Sequence, residues 1–365
     1  MAKKGYIKRL LPGSNTSIGF YSYFEHIIDQ KEAEKIYYFK GGPGVGKSYM
    51  MEKIGYKIID KGLDIEFHHC AADPESIDAI VIPDIRVAII DGTTPHMIDP
   101  RYPGVTGVIF NLGEFLNEKG LREIKDKIIQ FTEDNKNIYA RVYKYLAAAK
   151  LIHDDIEWIN SYAMDFNKVV KETDKLANKY FDTVADKGKL GRERHLFGSS
   201  YTLKGRVDHA ETFIGIIGKI IYIKGDDGTG KSTLLGKLSA IALNKGYDVE
   251  IYHEPLVPEK IESIVVPELD LAFTTNGKFS NGETVDLDAH IDKAKIKKYE
   301  EELKHSKKMF NKLLNDVFIY LGKTNGVHNK MEEYYAPNIF YEGLDKVRGD
   351  ILEEITHIIE IGRPK

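Results

Sequence analysis

The stretch Gly41-Gly-Pro-Gly-Val-Gly-Lys-Ser48 follows the apolar run Ile36-Tyr-Tyr-Phe39 and opens residues 47–60, in which Met50, Ile54 and Ile58 recur at helical spacing before a Lys61-Gly62 stop. A glycine, four residues and Gly-Lys-Ser between a strand and a helix form a phosphate-binding pattern. Glycines let backbone N–H groups approach an anion, and the start of the helix supplies further donors. Gly41, Gly42, Gly44, Val45, Gly46, Lys47, Ser48 and Tyr49 are therefore the expected cradle, with Lys47 reaching the outer phosphates and Ser48 placed to hold Mg2+.

The pattern occurs twice. Gly225-Asp-Asp-Gly-Thr-Gly-Lys-Ser-Thr233 follows Ile220-Ile-Tyr-Ile223, and the expected second cradle is Gly225, Asp227, Gly228, Thr229, Gly230, Lys231, Ser232 and Thr233, with Ser232 the metal-side hydroxyl. Placing residue n against n+184 aligns Lys35–Ala88 with Lys219–Ala272 without a gap, and 22 of those 54 positions are identical. Composition alone would give roughly three, so the chain is a duplication. The upstream segments Lys8–Ser14 and Arg194–Ser199 align at an offset of 185 and read as a short strand running into a turn; the stretch that follows, through Gly19 or Gly205, covers a nucleotide base or, as the preferred reading, adds plain edge structure.

Strand, glycine-rich turn, helix, strand is α/β order, with the phosphate site beyond the strand's carboxyl end. Each half is expected to be a mostly parallel, three-layer sheet domain. The first spans residues 1–185 with a helical insertion at about 119–180, the second 186–365 with an insertion at about 290–340. Leu121–Tyr145, Asp154–Asn178, Ile291–Leu321 and Leu344–Ile361 carry the helical periodicity. His153 and Glu157, like His328 and Glu332, are four apart on one face, as an interaction pair or a joint site. Trp158, Tyr162, Tyr334 and Tyr335 read as aromatic packing.

The 365-residue chain has 52 basic and 56 acidic residues and a formal net charge of −4, which argues against a nucleic-acid surface. One cysteine, Cys70, excludes an intrachain disulfide framework. The N-terminal residues lack an apolar signal-like run and no segment has membrane-spanning length; a cytoplasmic protein with no membrane partner is expected.

Arg86-Val-Ala-Ile-Ile-Asp91 ends in a carboxylate where a magnesium shell beside Ser48 needs one. The second half offers Thr275 at the matching place, leaving Asp286 or Asp288 as alternatives, while Asp226 and Asp227 lie inside the cradle and require pairing or outward orientation. His69 and His253 close equivalent strands and could position water or satisfy buried backbone. His96, Asp99 and Arg101 sit on a proline-punctuated loop on the phosphate side. Zinc at His68, His69, Cys70 and His96 is disfavoured, since adjacent donors do not by themselves make a tetrahedral shell.

Gly41–Ser48, His69-Cys70 with Asp73-Pro-Glu-Ser-Ile-Asp78, Asp91-Gly-Thr-Thr-Pro-His96 and Arg194-His-Leu-Phe197 together resemble the tandem P-loop proteins of Firmicutes-type bacteria classed as uncharacterised ATPases or nucleotide-kinase-like proteins. The resemblance spans nearly the whole chain and implies two duplicated P-loop NTPase domains that bind nucleotide. The second loop also resembles that of thymidylate-kinase-like enzymes, but the chain lacks their Asp-Arg-Tyr or Asp-Arg-His element.

Three functions remain open. The first is an ATPase or nucleotide-driven switch using ATP, or another nucleoside triphosphate, with Mg2+; Lys47, Asp91, His69 and Asp99 would act in the first half and Lys231 in the second. The second is a kinase acting on a small-molecule or nucleotide acceptor, and the third a non-catalytic nucleotide-binding scaffold. The halves are expected to pair about a pseudo-twofold axis, or two chains to form a homodimer.

Overall fold

The computed structural model describes residues 4–362, so Met1–Lys3 of the N-terminal reading lie outside the described residues, as does the side chain of His328. Two six-stranded sheets repeat one order. The first runs Ile7–Leu10, Ile65–His69, Ile77–Ile82, Val87–Asp91, Lys35–Lys40, Gly107–Asn111, and the second Glu193–Phe197, Val249–His253, Ile261–Val266, Leu271–Thr274, Lys219–Lys224, Glu283–Asp286. The architecture is a duplicated α/β fold with mixed sheets. Ile77–Ile82 and its counterpart Ile261–Val266 run against both neighbours, and the other pairings are parallel.

The glycine-rich turns sit between the strands and helices expected of them. Lys35–Lys40 leads into helix Lys47–Asp60 and Lys219–Lys224 into helix Lys231–Asn244. Met50, Ile54 and Ile58 are buried against Tyr37, Phe39 and Phe67, which is the apolar stripe meeting its sheet. The opposite face is covered by Phe24, Ile27 and Ala33 from an irregular segment, so the expected three helix-sheet-helix layers reduce to two with a loop cover.

The upstream register differs from the sequence alignment. Lys8 pairs with Glu66 and Arg194 with Glu250, giving an offset of 186 rather than 185. A one-residue slip would turn these cations to the other face of the sheet and break the contacts described below. The strands that open these segments, Ile7–Leu10 and Glu193–Phe197, are edges of the large sheets as expected, while the hairpins after them, Gly13–Thr16 with Gly19–Ser22 and Ser199–Thr202 with Gly205–Asp208, form separate two-stranded sheets.

The insertions hold longer helices than their periodicity indicated. Lys125–Ala163 is one helix, continuous through the break expected at 146–153, and Glu300–Tyr335 is its counterpart. The Ala147-Ala-Ala149 run has high helix propensity and no side chain that caps or breaks. The breaks fall at Met164, where the backbone is extended, and at Ala336–Asn338, where Pro337 has no N–H to continue the ladder.

The helix that follows each break crosses to the other half. Phe166–Phe181, from the first repeat, packs Val169, Leu176 and Phe181 into the second sheet's core with Ile223, Leu235 and Phe273. Tyr341–Gly362, from the second, packs Leu344, Ile351, Ile355 and Ile359 into the first sheet's core with Tyr37 and Ile54. Burying one such aliphatic side chain contributes about 1.5–3 kcal/mol, so the exchange binds the halves through their interiors. Reciprocal bonds mark a pseudo-twofold relation. Leu11 and Phe197 exchange N–H···O bonds at 3.1 and 3.0 Å, Ser14 Oγ meets Ser200 Oγ at 2.9 Å, and Asn117 N to Asn338 O matches Asp292 N to Ala163 O, both 2.8 Å.

Candidate functional site

At the first loop the chain turns through left-handed Gly44 (φ 72°) and Gly46 (φ 82°), and helix Lys47–Asp60 begins with no side chain capping it. Only glycine adopts these dihedrals without strain, and the uncapped first turn leaves helix N–H groups directed at the loop. Val45 is buried, anchoring the turn from below, while Tyr49 is exposed. Lys47 Nζ donates to Gly41 O at 2.9 Å and Gly42 O at 3.0 Å and stands 3.6 Å from Asp91 Oδ2. Strand Lys35–Lys40 pairs in parallel with Val87–Asp91, setting Phe39 opposite Asp91, which is what brings Lys47 and Asp91 together. Asp91 Oδ1 accepts from Thr93 N at 2.9 Å and Thr93 Oγ1 at 2.5 Å, which leaves Oδ2 facing the lysine.

Ser48 Oγ accepts from Ile77 N at 2.9 Å, and Ser232 Oγ from Ile261 N at the same distance. Each hydroxyl keeps a further lone pair, so magnesium ligation by Ser48 and Asp91 fits the donor set, although Ser48 also ties its helix to the reversed strand. That strand brings in a further acid, the Asp78 that ends the Asp73–Asp78 motif. Asp78 is buried beside Asp91 and His96, and burial followed by the Asp91 charge pushes its carboxyl well above the usual range. A signal was present: the equivalent position n+184, Glu262, is also acidic within a mostly apolar strand.

The second loop repeats the geometry with different surroundings. Gly228 and Gly230 have φ of 83° and 94°, Lys231 Nζ donates to Gly225 O at 2.5 Å and Asp226 O at 2.8 Å, and Thr229 is buried with its hydroxyl on Asp226 O. Thr233 is exposed. The acids inside this loop are paired. Asp226 meets Lys307 Nζ at 2.9 Å, and Asp227 lies 3.5 Å from His153 Nε2 and 3.9 Å from Lys231. Although burial opposes both shifts, the pair holds Asp227 below the usual carboxylate range and His153 above the usual imidazole range. Burial also lowers Lys231 against the pull of Asp227. Neither sequence alternative for the missing acid stands free: Asp286 is bound by Lys224 at 2.6 Å and Asp288 accepts from Asp226 N at 2.7 Å.

Each loop is covered by the long helix of the other half. A Cβ on Gly228 would stand 2.3 Å from Glu157 O, Asn160 Nδ2 donates to Asp227 O at 2.8 Å, and Ser161 Oγ donates to Gly228 O at 2.9 Å. Glu157 in turn is paired with Lys260. At the first loop, a Cβ on Gly42 would lie 2.9 Å from the Tyr335 ring and one on Gly44 would lie 3.5 Å from Glu332 Cα. Tyr335 is thus a cover residue; Trp158 and Tyr162 stack on one another at 6.0 Å.

Other sequence candidates are placed elsewhere. His69 lies in the seam between halves, with Nε2 2.8 Å from Arg9 Nη1 and its ring 4.9 Å from that of His209; burial, then His209 and Arg9, bring its pKa down to about 3. Its counterpart His253 contacts His195 at 2.8 Å. Asp99 pairs with Lys40 at 2.8 Å. Arg101, Arg192 and Arg194 line one cavity of about 480 Å³ in the seam, each bound to carboxylates. His68 bonds Glu66 at 3.3 Å, so the disfavoured zinc set does not assemble among the described residues.

The seam also buries a four-charge cluster. Arg194 binds Glu66 at 2.6 Å and Glu250 at 3.3 Å, and Lys8 binds Glu250 at 2.7 Å and Glu66 at 3.5 Å. Burial works against ionisation, but the cations keep Glu66 well below and Glu250 below the usual carboxylate range. No helix among the described residues is long and apolar enough to cross a membrane. Comparisons with family models, curated proteins and solved structures find no match to this chain.

Proposed function

We propose that the chain binds a nucleoside triphosphate, ATP in the first instance, with Mg2+, and that the first loop is the engine of an ATPase or nucleotide-driven switch. The observation that carries this reading is the Lys47–Asp91 approach of 3.6 Å at the ends of adjacent parallel strands, beside a glycine turn and an uncapped helix. Lys47 would stabilise charge on the transferring phosphoryl group, and loop amides would grip the phosphate tail. Ser48 and Asp91 would hold the magnesium ion, which when bound neutralises phosphate charge. The second loop serves best as a regulatory site, because Thr275 replaces the strand-end acid and His153 occupies Asp227. The resemblance to tandem P-loop ATPases and nucleotide-kinase-like proteins points the same way.

A kinase reading is favoured by one feature, the helix Glu300–Tyr335 lying over the first loop, since a cover that excludes water suits transfer to an acceptor. One assay separates the two. Turnover of γ-labelled ATP with Mg2+, with and without nucleoside monophosphates and metabolite extracts, yields free phosphate for the ATPase and a labelled acceptor for the kinase. Absence of ATP binding by calorimetry would overturn both.

A further inference from the structure

We infer that Asp78, Asp91 and His96 form a binding site for one divalent transition-metal ion beside the first glycine-rich loop, held by the protein without nucleotide. The three residues come from the reversed strand Ile77–Ile82, the end of strand Val87–Asp91 and the loop that follows it. One ligand atom from each lies within 4.8 Å of the others. Donors around an ion at about 2.1 Å stand roughly 3–4 Å apart, so a closure of at most about 1–2 Å completes the contact. All three are buried, at 6, 9 and 7% exposure.

His96 points to a ligand independently of the acids. Both its ring nitrogens are buried and have no hydrogen-bond partner, while the ring is fixed by stacking on Phe24 at 4.1 Å. An imidazole carries a donor or acceptor at each nitrogen, and buried polar atoms are rarely left without a partner. A metal ion is the partner that a ring nitrogen and two carboxylate oxygens can share.

The second half supplies an internal control. There Glu262 stands for Asp78 and Thr275 for Asp91, and the hairpin residue opposite Tyr201 is Arg206, whose Nη2 holds Glu262 Oε1 at 2.6 Å. In the first half the corresponding hairpin residue, opposite Asn15, is Phe20, which lies 6.2 Å from the His96 ring. At these matched positions the first half therefore has two acids where the second has one, and no arginine; Asp208 and Glu254 also lie near Glu262. Lys47 stands 3.6 Å from Asp91, but its ammonium is tied to the Gly41 and Gly42 carbonyls. A divalent ion would match the two carboxylates when both are ionised.

The donor set selects the ion. An imidazole with two carboxylates suits Mn2+, Fe2+ or Zn2+, whereas Mg2+ prefers oxygen ligands and retains its waters. The inference rests on the nucleotide reading only for the use of the ion, which would stand next to Lys47 and the phosphate tail; the site itself does not depend on it.

The test uses the full chain, stripped with chelator and titrated with Mn2+ alone, followed by electron paramagnetic resonance. One bound ion per chain is expected, with a 14N coupling from an imidazole ligand in the pulsed spectrum and little displacement by excess Mg2+. Asp78→Asn and His96→Gln should each weaken binding by roughly tenfold or more. No bound Mn2+, a spectrum without nitrogen coupling, or displacement by Mg2+ on equal terms would overturn the assignment. The pulsed spectrum is read on the unaltered chain, so it stands even where a variant fails to fold. A chain that binds Mn2+ but not ATP keeps this site and loses the nucleotide reading; one that binds magnesium ATP but not Mn2+ does the reverse.

Discussion

The two glycine-rich loops share a backbone and differ in what faces their lysines. Lys47 looks onto a strand-end aspartate with a buried acid and an imidazole behind it, whereas Lys231 looks onto Asp227, an acid of its own loop already engaged by His153. Duplication fixed the cradle, and divergence acted on the groups around it. On the proposed reading the first loop would meet an outside ligand's charge, whereas the second has internal charges that answer one another.

The sharpest way to break this comparison is at the lysines. Lys47→Ala should reduce phosphoryl-transfer turnover by roughly 10²–10³-fold, the scale for losing a main electrostatic donor, while Lys231→Ala should change it far less. Steady-state phosphate release measures both, and the opposite order would reverse the roles of the halves.

At the seam the equivalent cations are also unequal. Arg194 forks onto Glu66 with both terminal nitrogens and also donates to His26 O at 2.8 Å and Ile27 O at 2.7 Å, while Lys8 is a point charge on the same carboxylates. Arg194→Ala should destabilise the fold by about 3 kcal/mol and Lys8→Ala by less, read from urea midpoints. Equal losses would show that the fork has no special part.

The exchanged helices give the next test. Ile355→Ala should cost about 2–3 kcal/mol, and hydrogen exchange should show the lost protection in the first sheet, although Ile355 belongs to the second repeat. Loss confined to the second sheet would contradict the crossed packing.

The last test is a pH dependence of opposite sign at two places, in which the His153 contribution is the smallest single effect. His153 has a raised folded pKa, so its contribution is complete below the unfolded value of about 6.5 and fades as pH rises through the folded one. His69, His209 and His253 have folded values near 3, 4 and 4, first through burial, so the unfolded chain binds more protons and the seam weakens as pH falls below about 6.5. His153→Gln should remove under about 1 kcal/mol at pH 6 and nothing measurable well above its folded pKa. Denaturation curves across pH 5–9 check both signs.

Much of the scaffold was legible in the chain because the repeat is local. The glycine turns, helix 47–60 and the strands around them follow from short-range pattern, and the acids at 78 and 262 were visible as a shared anomaly. Strand Gly107–Asn111 escaped notice because it is an edge, with Ile109 exposed and only every second residue turned inward. The crossing of Phe166–Phe181 and Tyr341–Gly362 was not legible. An amphipathic stripe states that a helix needs a sheet, but not which of two similar sheets receives it. The register of the edge strands Ile7–Leu10 and Glu193–Phe197 likewise depended on Lys8 and Arg194 finding carboxylates from the neighbouring strands and across the seam.

The crossed helices alter what it means to divide this molecule. A nick between Asp182 and Arg192 would separate the repeats in covalent terms, yet each fragment would still carry the roof of the other's sheet. The fragments would travel together as an obligate pair, joined by their cores, and either one expressed alone would expose the apolar surface that Ile351 and Ile355, or Val169 and Leu176, now cover.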